Sequence, residues 1–333
     1  MESNRLYLGI DYGGTAVKMG IVSEEGLIMG AGSIPAPSLP DEAACRAFAA
    51  QVGEFVASTG AYRSEIGGIA LAVPGVVGED GSVFSPNVTV DWPELRRQLG
   101  RLFSQDVVAT LNDANAAALG ELWHGGSGNA ASALLVTIGT GVGAGIIADG
   151  HVLQGRNGAA GEFGHMTVVR GGRPCRCGRK GCVEQYASAR GIVQSFREAD
   201  ERGVGNPVTY TAIEPKHDTD TVSVFKACRA GDARAQYALD VFNDRLGFAL
   251  AQVACVVDPD VILLGGGVAQ GADLFLDDLR ASYREKCLSS CADTEIRTAQ
   301  LSNQAGVYGA ARYAMLAAQG LADEFDAFGI NLQ

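Results

Sequence analysis

The sequence predicts an α/β fold built from two similar halves, and three observations support this prediction. Residues 6–22 and residues 134–148 share one design, in which a glycine–threonine turn joins two β-rich runs. Helical patterns alternate with short buried strands over the rest of the chain. The 45 glycines cluster where apolar β-like runs end, a position from which a backbone approaches a ligand closely. The interval of about 130 residues between the two segments favours two α/β halves over a solenoid of short repeats.

The remaining elements follow in an order that supports this division. After the first strand pair, the pattern predicts a helix over 41–58, a strand over 68–73, a helix over 93–103 and a strand over 107–111. After the second strand pair, it predicts a helix beginning near Glu184, a helix over 232–257, a strand over 261–264, and helices over 272–286 and 304–319. Acidic–glycine turns of the hairpin type follow both strand pairs, at 24–26 and at 149–150. No linker rich in proline or serine intervenes, so we expect the halves to pack around a central cleft.

Composition narrows the classes of function. A chain of 333 residues is long enough for two domains, and its apolar content of 47% is ordinary for a globular protein. The most hydrophobic stretches are interrupted by glycine, threonine or an Asp-Pro-Asp sequence before they reach membrane-spanning length. A net charge of −12 disfavours nonspecific binding to nucleic acid or to anionic lipid. Because the first residues lack the pattern of an export signal, we expect a cytoplasmic protein whose partners are small molecules.

One histidine and three cysteines form the most informative cluster of the sequence. An imidazole and three thiols are donors that tetrahedral zinc prefers, and four protein ligands leave no position for water, as in a structural site. Gly178 and Gly181 allow the chain to turn sharply enough for the thiols to face one ion. Glu162 and Glu184 flank the cluster, and we expect them near the metal without binding it. The predicted zinc ligands are His165, Cys175, Cys177 and Cys182.

The alternatives for these thiols are a disulfide or a place in the apolar core. A disulfide fits poorly because the expected compartment is reducing. Burial as free thiols fits the cysteines outside the cluster, whereas three cysteines within eight residues favour a metal. The cysteines predicted to be buried and free are Cys45, Cys228, Cys255, Cys287 and Cys291.

Three glycine-rich turns are candidates for holding a nucleotide. Gly13-Gly14-Thr15 follows a strand and offers N–H groups and a hydroxyl to an anion, with Asp11 beside it as a ligand for magnesium. Gly139-Thr140-Gly141 offers the same geometry in the second half, and Gly265-Gly266-Gly267 suits the floor under a base or ribose. Taken alone, each turn is also explained as a tight hairpin. A dinucleotide fingerprint is disfavoured because a strand, not a helix, follows the second turn, and a Walker-type phosphate loop is absent.

Asn112 and Asp113 are placed where a strand ends and a helix begins. The commonest role for an aspartate at this position is that of a helix N-cap, and position alone favours this interpretation. Catalysis is the alternative, and the rest of the chain supports it.

The sequence resembles the ROK family of bacterial sugar kinases and sugar-responsive repressors, within the larger group that includes actin and hexokinase. The resemblance covers nearly the whole chain, and its motifs are highly specific in combination. They are DYGGTAVKMG at 11–20, PNVTVDW at 86–92, NDANAAALGE at 112–121, IGTGVGAG at 138–145, GAAGEFGH at 158–165, CRCGRKGCVEQYAS at 175–188 and LLGGGV at 263–268.

The resemblance implies an ATP-dependent kinase in which Asp113 is the general base that takes a proton from the attacking sugar hydroxyl. It implies that His165 binds zinc through one ring nitrogen and the sugar through the other. The implied sugar-binding residues are Asn87, Asn112, Asp113, Glu162, His165 and Glu184. The implied residues for Mg–ATP are Asp11, Gly13, Gly14, Thr15, Lys18, Gly139, Thr140, Gly141, Gly265, Gly266 and Gly267.

The resemblance also implies two α/β domains of the ribonuclease-H-like, actin and hexokinase type around a central cleft that closes on the substrates. We expect a smaller domain formed by residues 1–113 and 304–333 and a larger one formed by residues 114–303, which carries the zinc loop. A homodimer or homotetramer is expected on the same ground.

Glucose is the first choice of substrate, because glucokinases of the family commonly combine similar histidine and cysteine motifs. Fructose, allose and N-acetylmannosamine are alternatives, since the loop between Asn87 and Trp92 is slightly longer than is usual in the family.

Two further functions compete with a kinase. A repressor requires a DNA-binding module of about 60 residues before the first glycine turn, and only ten residues precede Asp11. A silent sugar sensor is disfavoured because Asp11, Asp113 and both phosphate turns are present.

Overall fold

The structure is a computed structural model that describes residues 5–78, 80–86, 88–105, 108–205 and 219–321. The strands found there are β1 Leu6–Tyr12, β2 Ala16–Ser23, β3 Ile28–Pro35, β4 Ile66–Val73, β5 Val76–Val77, β6 Val83–Phe84, β7 Val108–Asn112, β8 Ala133–Ile138, β9 Val142–Ala148, β10 His151–Val152, β11 Val261–Gly265 and β12 Glu295–Thr298. The helices are α1 Glu42–Ser58, α2 Trp92–Phe103, α3 Asp113–His124, α4 Glu184–Ala187, α5 Ala189–Glu201, α6 Thr221–Arg229, α7 Ala233–Val257, α8 Leu276–Lys286 and α9 Ala305–Ala318.

The contacts within the chain divide it into two compact units. The first unit contains Met1–Ala133, Gly145–Gly161 and Ala299–Gln333, and the second contains Leu134–Ala144 and Glu162–Thr298. Within the first unit, α3 packs along α9. In this contact a Cβ on Gly309 would lie only 1.6 Å from the carbonyl oxygen of Ala116, so the two backbones touch directly.

The first unit is built on a five-stranded sheet in the order β3-β2-β1-β4-β7. The pairs β3/β2 and β2/β1 are antiparallel, and the pairs β1/β4 and β4/β7 are parallel. Helices α1 and α2 cover one face, and their apolar residues form a continuous core with those of the strands. Helix α9 lies against β1 so closely that a Cβ on Gly9 would be 2.2 Å from the carbonyl oxygen of Val307. This sheet therefore fixes the carboxyl ends of β1 and β7, where Asp11 and Asn112 are found.

A second five-stranded sheet has the order β10-β9-β8-β11-β12. β11 and β12 are parallel, and β9 and β10 form an antiparallel hairpin. The turn of this hairpin contains Asp149 and Gly150, with φ values of 48° and 79°, as a turn that matches the twist of a hairpin requires. In the second unit, α7 packs against α5 and α8. The α/β class and the hairpin turns predicted from the sequence are confirmed.

Two predictions about local structure are wrong. The helix expected over 272–286 begins only at Leu276, because residues 267–274 form a 3-10 segment in which Gly271 has non-helical angles. Cys255 was expected to be buried but is exposed, and Cys228 and Cys287 are only half-buried, while Cys45 and Cys291 lie in the interior. All eight cysteines are free thiols.

Among the helices that the structure describes, none combines the length and the apolar character that crossing a bilayer requires.

Candidate active site and metal centre

The four residues predicted to bind zinc come together in the second unit. One possible ligand atom from each of His165, Cys175, Cys177 and Cys182 lies within 4.8 Å of the others. The distances are 3.7 Å from Cys175 Sγ to His165 Nδ1 and 3.7 Å from Cys177 Sγ to Cys182 Sγ. Zinc–sulfur bonds of about 2.3 Å in a tetrahedron place two sulfurs about 3.8 Å apart. The donor types and their spacing therefore fit a structural zinc ion.

Tight turns bring the cysteines together. The N–H of Cys175 donates to the carbonyl of Arg179 at 2.8 Å, and an isolated β-bridge joins Thr167 to Cys182. Gly181 has a φ of 79°, and a Cβ there would lie 1.7 Å from the carbonyl oxygen of Val169. Only glycine fits at this position, as the sequence predicted.

The thiols of the cluster differ in acidity before a metal binds. Hydrogen bonds from the backbone and side chain of Arg179 lower the pKa of Cys177 to about 6, which favours the thiolate form. Burial raises the pKa of Cys182 to about 12. Since a bound metal deprotonates a coordinating thiol, zinc binding at Cys182 releases a proton.

The two carboxylates that flank the cluster have different surroundings. Glu162 Oε2 lies 3.9 Å from His165 Nε2, on the side of the ring opposite Nδ1, and the Glu162 side chain is 52% exposed. Glu184 Oε2 accepts a hydrogen bond from the N–H of Val142 at 3.3 Å. A Cβ on Gly141 would lie 2.5 Å from the same oxygen. Glu184 is thus held against the Gly139-Thr140-Gly141 turn.

In the first unit, Asn112 and Asp113 occupy the junction of β7 and α3. Asn112 is the N-cap, because its side-chain oxygen accepts from the N–H groups of Ala114 and Asn115 at 2.9 and 3.1 Å. Its amide nitrogen donates to the carbonyl of Gly75 at 2.9 Å. Asp113 is the first residue of the helix and accepts from the N–H of Ala114 at 2.9 Å. The interpretation of Asp113 as the N-cap is therefore wrong, because Asn112 occupies that position and Asp113 bonds only the N–H of Ala114.

The electrostatic environment of Asp113 favours its neutral form. Burial, opposed by the hydrogen bond from Ala114 and reinforced by the negative charge of Asp11, raises the pKa of Asp113 to about 6. Burial also raises the pKa of Asp11, although Lys18 Nζ, 3.6 Å from Asp11 Oδ2, opposes this. Strand β1 and the β7–α3 junction thus hold two interacting carboxylates, one of which titrates near neutral pH.

The turn at 13–15 joins β1 to β2. The N–H of Gly13 donates to the carbonyl of Ala16 at 3.0 Å and closes the turn. Gly14 and Thr15 are exposed, and their N–H groups have no hydrogen-bond partner among the described residues. These two N–H groups are the ones that can meet an anion.

The two glycine-rich turns of the second unit are adjacent. Gly266 has a φ of 83°, and a Cβ there would lie 2.4 Å from the carbonyl oxygen of Ile138, the last residue of β8. Gly139 follows Ile138 directly, and its N–H donates to the carbonyl of Gly141 at 2.9 Å. The structure therefore brings Gly265-Gly266-Gly267 beside Gly139-Thr140-Gly141.

A cavity of about 780 Å³ begins at Thr140 and extends along α5. Sequence reasoning found Thr140 as part of a glycine-rich turn but missed most of the lining along α5, which no glycine motif marks. The only local signals are Ser188 and Asp220, which cap α5 and α6. Its walls include Arg173, Gln185, Arg190, Gln194, Asp220 and Thr221.

Of the predicted sugar-binding residues, Asn87 lies outside the residues that the structure describes. Trp92, at the end of the same motif, is 4% exposed and packs edge-on against Tyr12 with their rings 5.3 Å apart. It belongs to the core of the first unit.

Sequence comparison identifies close relatives. The sequence model of the ROK family matches residues 7–317. A glucokinase of Halalkalibacterium halodurans is 38% identical over 314 residues, which cover 92% of this chain and 94% of that protein.

Solved structures share the fold. A ROK hexokinase from Thermus thermophilus superimposes with a TM-score of 0.81 at 30% identity, covering 95% of this chain and 99% of that one. A ROK family glucokinase from Streptomyces griseus, solved in complex with glucose and AMPPNP, gives a TM-score of 0.72 at 32% identity, covering 93% of this chain and 99% of that one. The two-domain fold class predicted from the sequence is confirmed.

Proposed function

The chain belongs to the ROK family and is an ATP-dependent sugar kinase, and from this premise we propose that it converts glucose to glucose 6-phosphate. The relatives that are glucokinases and the neighbour that holds glucose and an ATP analogue support this substrate. The observation that carries the mechanism is the half-buried carboxylate of Asp113 at the start of α3, with a pKa of about 6.

Asp113 acts as the general base. At neutral pH most of it is ionised, yet its raised pKa makes it a better proton acceptor than an ordinary aspartate. It takes the proton of the 6-hydroxyl as that oxygen attacks the terminal phosphorus of ATP, while the bond from that phosphorus to the bridging oxygen breaks and ADP leaves. Because phosphoryl transfer depends mainly on positioning and charge stabilisation, a fixed helix start is a suitable place for the base.

Polar side chains bind the sugar. Asn87, Asn112, Glu162, His165 and Glu184 bring amide, carboxylate and imidazole groups to the hydroxyls, and an epimer that leaves one of them unpaired is rejected. His165 bonds the sugar through Nε2, because Nδ1 faces the thiols. When zinc is bound, it fixes the orientation of this ring.

The nucleotide is held by the glycine-rich turns. The N–H groups of Gly14, Thr15, Thr140 and Gly141 donate to the phosphates, while Gly265-Gly266-Gly267 supports the ribose or base. Asp11 would hold magnesium, whose charge would stabilise the phosphates, and Lys18 offsets part of the carboxylate's charge.

The test is release of ADP by the purified protein with Mg–ATP, measured across glucose, mannose, fructose, allose, N-acetylglucosamine and N-acetylmannosamine. Asp113→Asn is the matched variant, because it preserves shape and removes the base; its turnover should fall by about 100-fold to 10,000-fold with sugar binding retained. A preference for another hexose would reject glucose but keep the kinase. Near-normal turnover in Asp113→Asn would reject the general base, and sugar binding without turnover on any hexose would reject the kinase.

A further inference from the structure

Arg173 connects the zinc loop to the helices that follow it. It lies two residues before Cys175, and its side chain is only 14% exposed. Its guanidinium donates to both carboxylate oxygens of Glu198, at 2.9 and 2.7 Å, and to Ser195 Oγ at 2.9 Å. It also lies over the ring of Tyr186, 4.5 Å from the centroid. These partners belong to α4 and α5, whereas Arg173 belongs to the loop that carries the cysteines.

The same side chain binds the junction between α4 and α5. Arg173 Nη1 donates to the carbonyls of Gln185 and Gly191, at 2.5 and 3.3 Å. The backbone of Arg173 is anchored as well, since its N–H donates to Tyr186 Oη at 2.9 Å and its carbonyl accepts from the N–H of Gly181 at 2.8 Å. One residue therefore joins the turn between the last two cysteines to both helices.

These helices hold two groups of the proposed active site. Glu184 is the first residue of α4, and its carboxylate bonds the N–H of Val142. Ala189 is the first residue of α5, and its N–H donates to the carbonyl of Gly139 at 2.9 Å. A displacement of the α4–α5 junction therefore moves both Glu184 and the Gly139-Thr140-Gly141 turn.

We propose that Arg173 is a positioning residue that transmits the order of the zinc loop to Glu184 and to the Gly139-Thr140-Gly141 turn, and thereby sets the affinity for the sugar. The proposal rests on the proposed function, in which Glu184 binds the sugar. Lysine cannot replace this residue, because a single ammonium group offers neither the two-pronged bond to Glu198 nor a planar face for Tyr186.

The test variant is Arg173→Lys, and Arg234→Lys is its matched control. Arg234 lies in the same unit, bonds both carboxylate oxygens of Asp232 at 3.1 and 2.8 Å, and stacks 5.1 Å from the Phe196 ring centroid. Its side chain is 4% exposed, so both variants remove an enclosed guanidinium from a carboxylate and a ring. Arg234 also donates to Asp200 at 2.7 Å, so it contacts α5 beyond the junction that Arg173 bonds at Gln185 and Gly191. Arg234 is not among the residues proposed to bind substrates.

Arg173→Lys should raise the KM for glucose at least about tenfold, a loss of about 1.4 kcal/mol in binding, with a smaller change in kcat and unchanged zinc content. Hydrogen exchange followed by mass spectrometry should become faster in segments 139–144 and 184–191, where the Val142 and Ala189 amides lie. Arg234→Lys should lower the melting temperature but leave both the KM and these exchange rates unchanged.

An unchanged KM and unchanged exchange in Arg173→Lys, or an equal rise of the KM in Arg234→Lys, would reduce Arg173 to a purely structural residue. If Arg173→Lys does not fold, Glu198→Gln keeps the arginine and weakens the same contact, and it should raise the KM in the same direction by a smaller factor. If the wild-type protein phosphorylates no hexose, the proposed function fails, and the exchange rates still decide whether Arg173 orders the two segments.

Discussion

Burial and the nearby Asp11 carboxylate raise the pKa of Asp113 to about 6, so the proposed base loses its charge within an accessible pH range. We expect kcat/KM for the sugar to fall about tenfold per pH unit below pH 6 and to level off above it, because only the ionised carboxylate accepts a proton. Initial rates between pH 5 and pH 8 at constant ionic strength measure how kcat/KM depends on pH. A profile that is flat across this range would contradict the assignment.

The raised pKa of Asp113 also means that its ionised carboxylate lowers the stability of the folded protein. Its pKa in the folded protein lies above its ordinary value of 3.8, so the stability it contributes is present below about pH 4 and is lost as the pH rises through 6. Asp113→Asn should therefore melt at a higher temperature than the wild type at pH 7.5, and the difference should shrink as the pH falls from 6 to 4. Differential scanning calorimetry of both proteins over this range checks the sign, and a variant less stable at pH 7.5 would refute it.

At the scale of single residues, the sequence predicted which residue types matter better than it predicted their local roles. The donor set of the metal cluster follows from residue type and spacing, and the structure brings all four residues together. Residue type and spacing could not show whether Asn112 or Asp113 is the N-cap. Both residue types suit a cap, and only the backbone angles select one of them. Arg173 was missed because its importance lies in tertiary contacts that no motif records.

At the scale of elements, a buried carboxylate at the end of α3 forms hydrogen bonds that hold this end of the helix in place. Glu121 is fully buried, and its oxygens accept from the N–H groups of Gly126, Gln300 and Leu301, at 2.9, 3.0 and 2.6 Å. The first unit resumes at residue 299, shortly before α9 begins. The hydrogen bonds to Glu121 therefore fix the segment that leads into α9.

Glu121→Gln should lower the free energy of unfolding by about 1–3 kcal/mol, since an amide nitrogen would then face a buried N–H group without a bond. Denaturant unfolding measures the change. Glu65→Gln is the control, because Glu65 also accepts a backbone N–H, from Tyr62 at 2.7 Å, but is exposed, and its replacement should cost less than about 0.5 kcal/mol. Equal stability of the two variants would refute the role of burial.

Strongly periodic elements were the most predictable ones. α1 and α7 lie within one residue of their predicted bounds, because each begins at an aspartate N-cap that the sequence displays. The start of α8 was predicted at residue 272 instead of 276, because the sequence did not reveal the 3-10 path of residues 267–274, which the glycines at 267 and 271 permit.

At the scale of the whole molecule, the repeated strand–turn–strand design predicted two similar α/β halves, and each repeat forms neighbouring strands of a five-stranded sheet, β1 with β2 and β8 with β9. It did not predict how the chain is shared between the compact units. That division depends on the close contact of α3 with α9, which small residues permit but which has no sequence period of its own. The zinc loop, in contrast, lies entirely within the second unit, so its energetic contribution can be separated from that of the first.

Zinc removal tests this separation. The ligands span residues 165–182 of the second unit, and structural zinc contributes on the order of 10 kcal/mol to the folding of small domains. We expect about one zinc per chain in the purified protein.

Chelation or Cys177→Ser should lower the temperature at which the second unit unfolds and leave segments of the first protected from hydrogen exchange. Cys255→Ser, which removes an exposed thiol of the same unit, should change neither zinc content nor melting. Protein free of zinc as purified, or equal loss of protection in both units, would contradict a structural metal confined to the second.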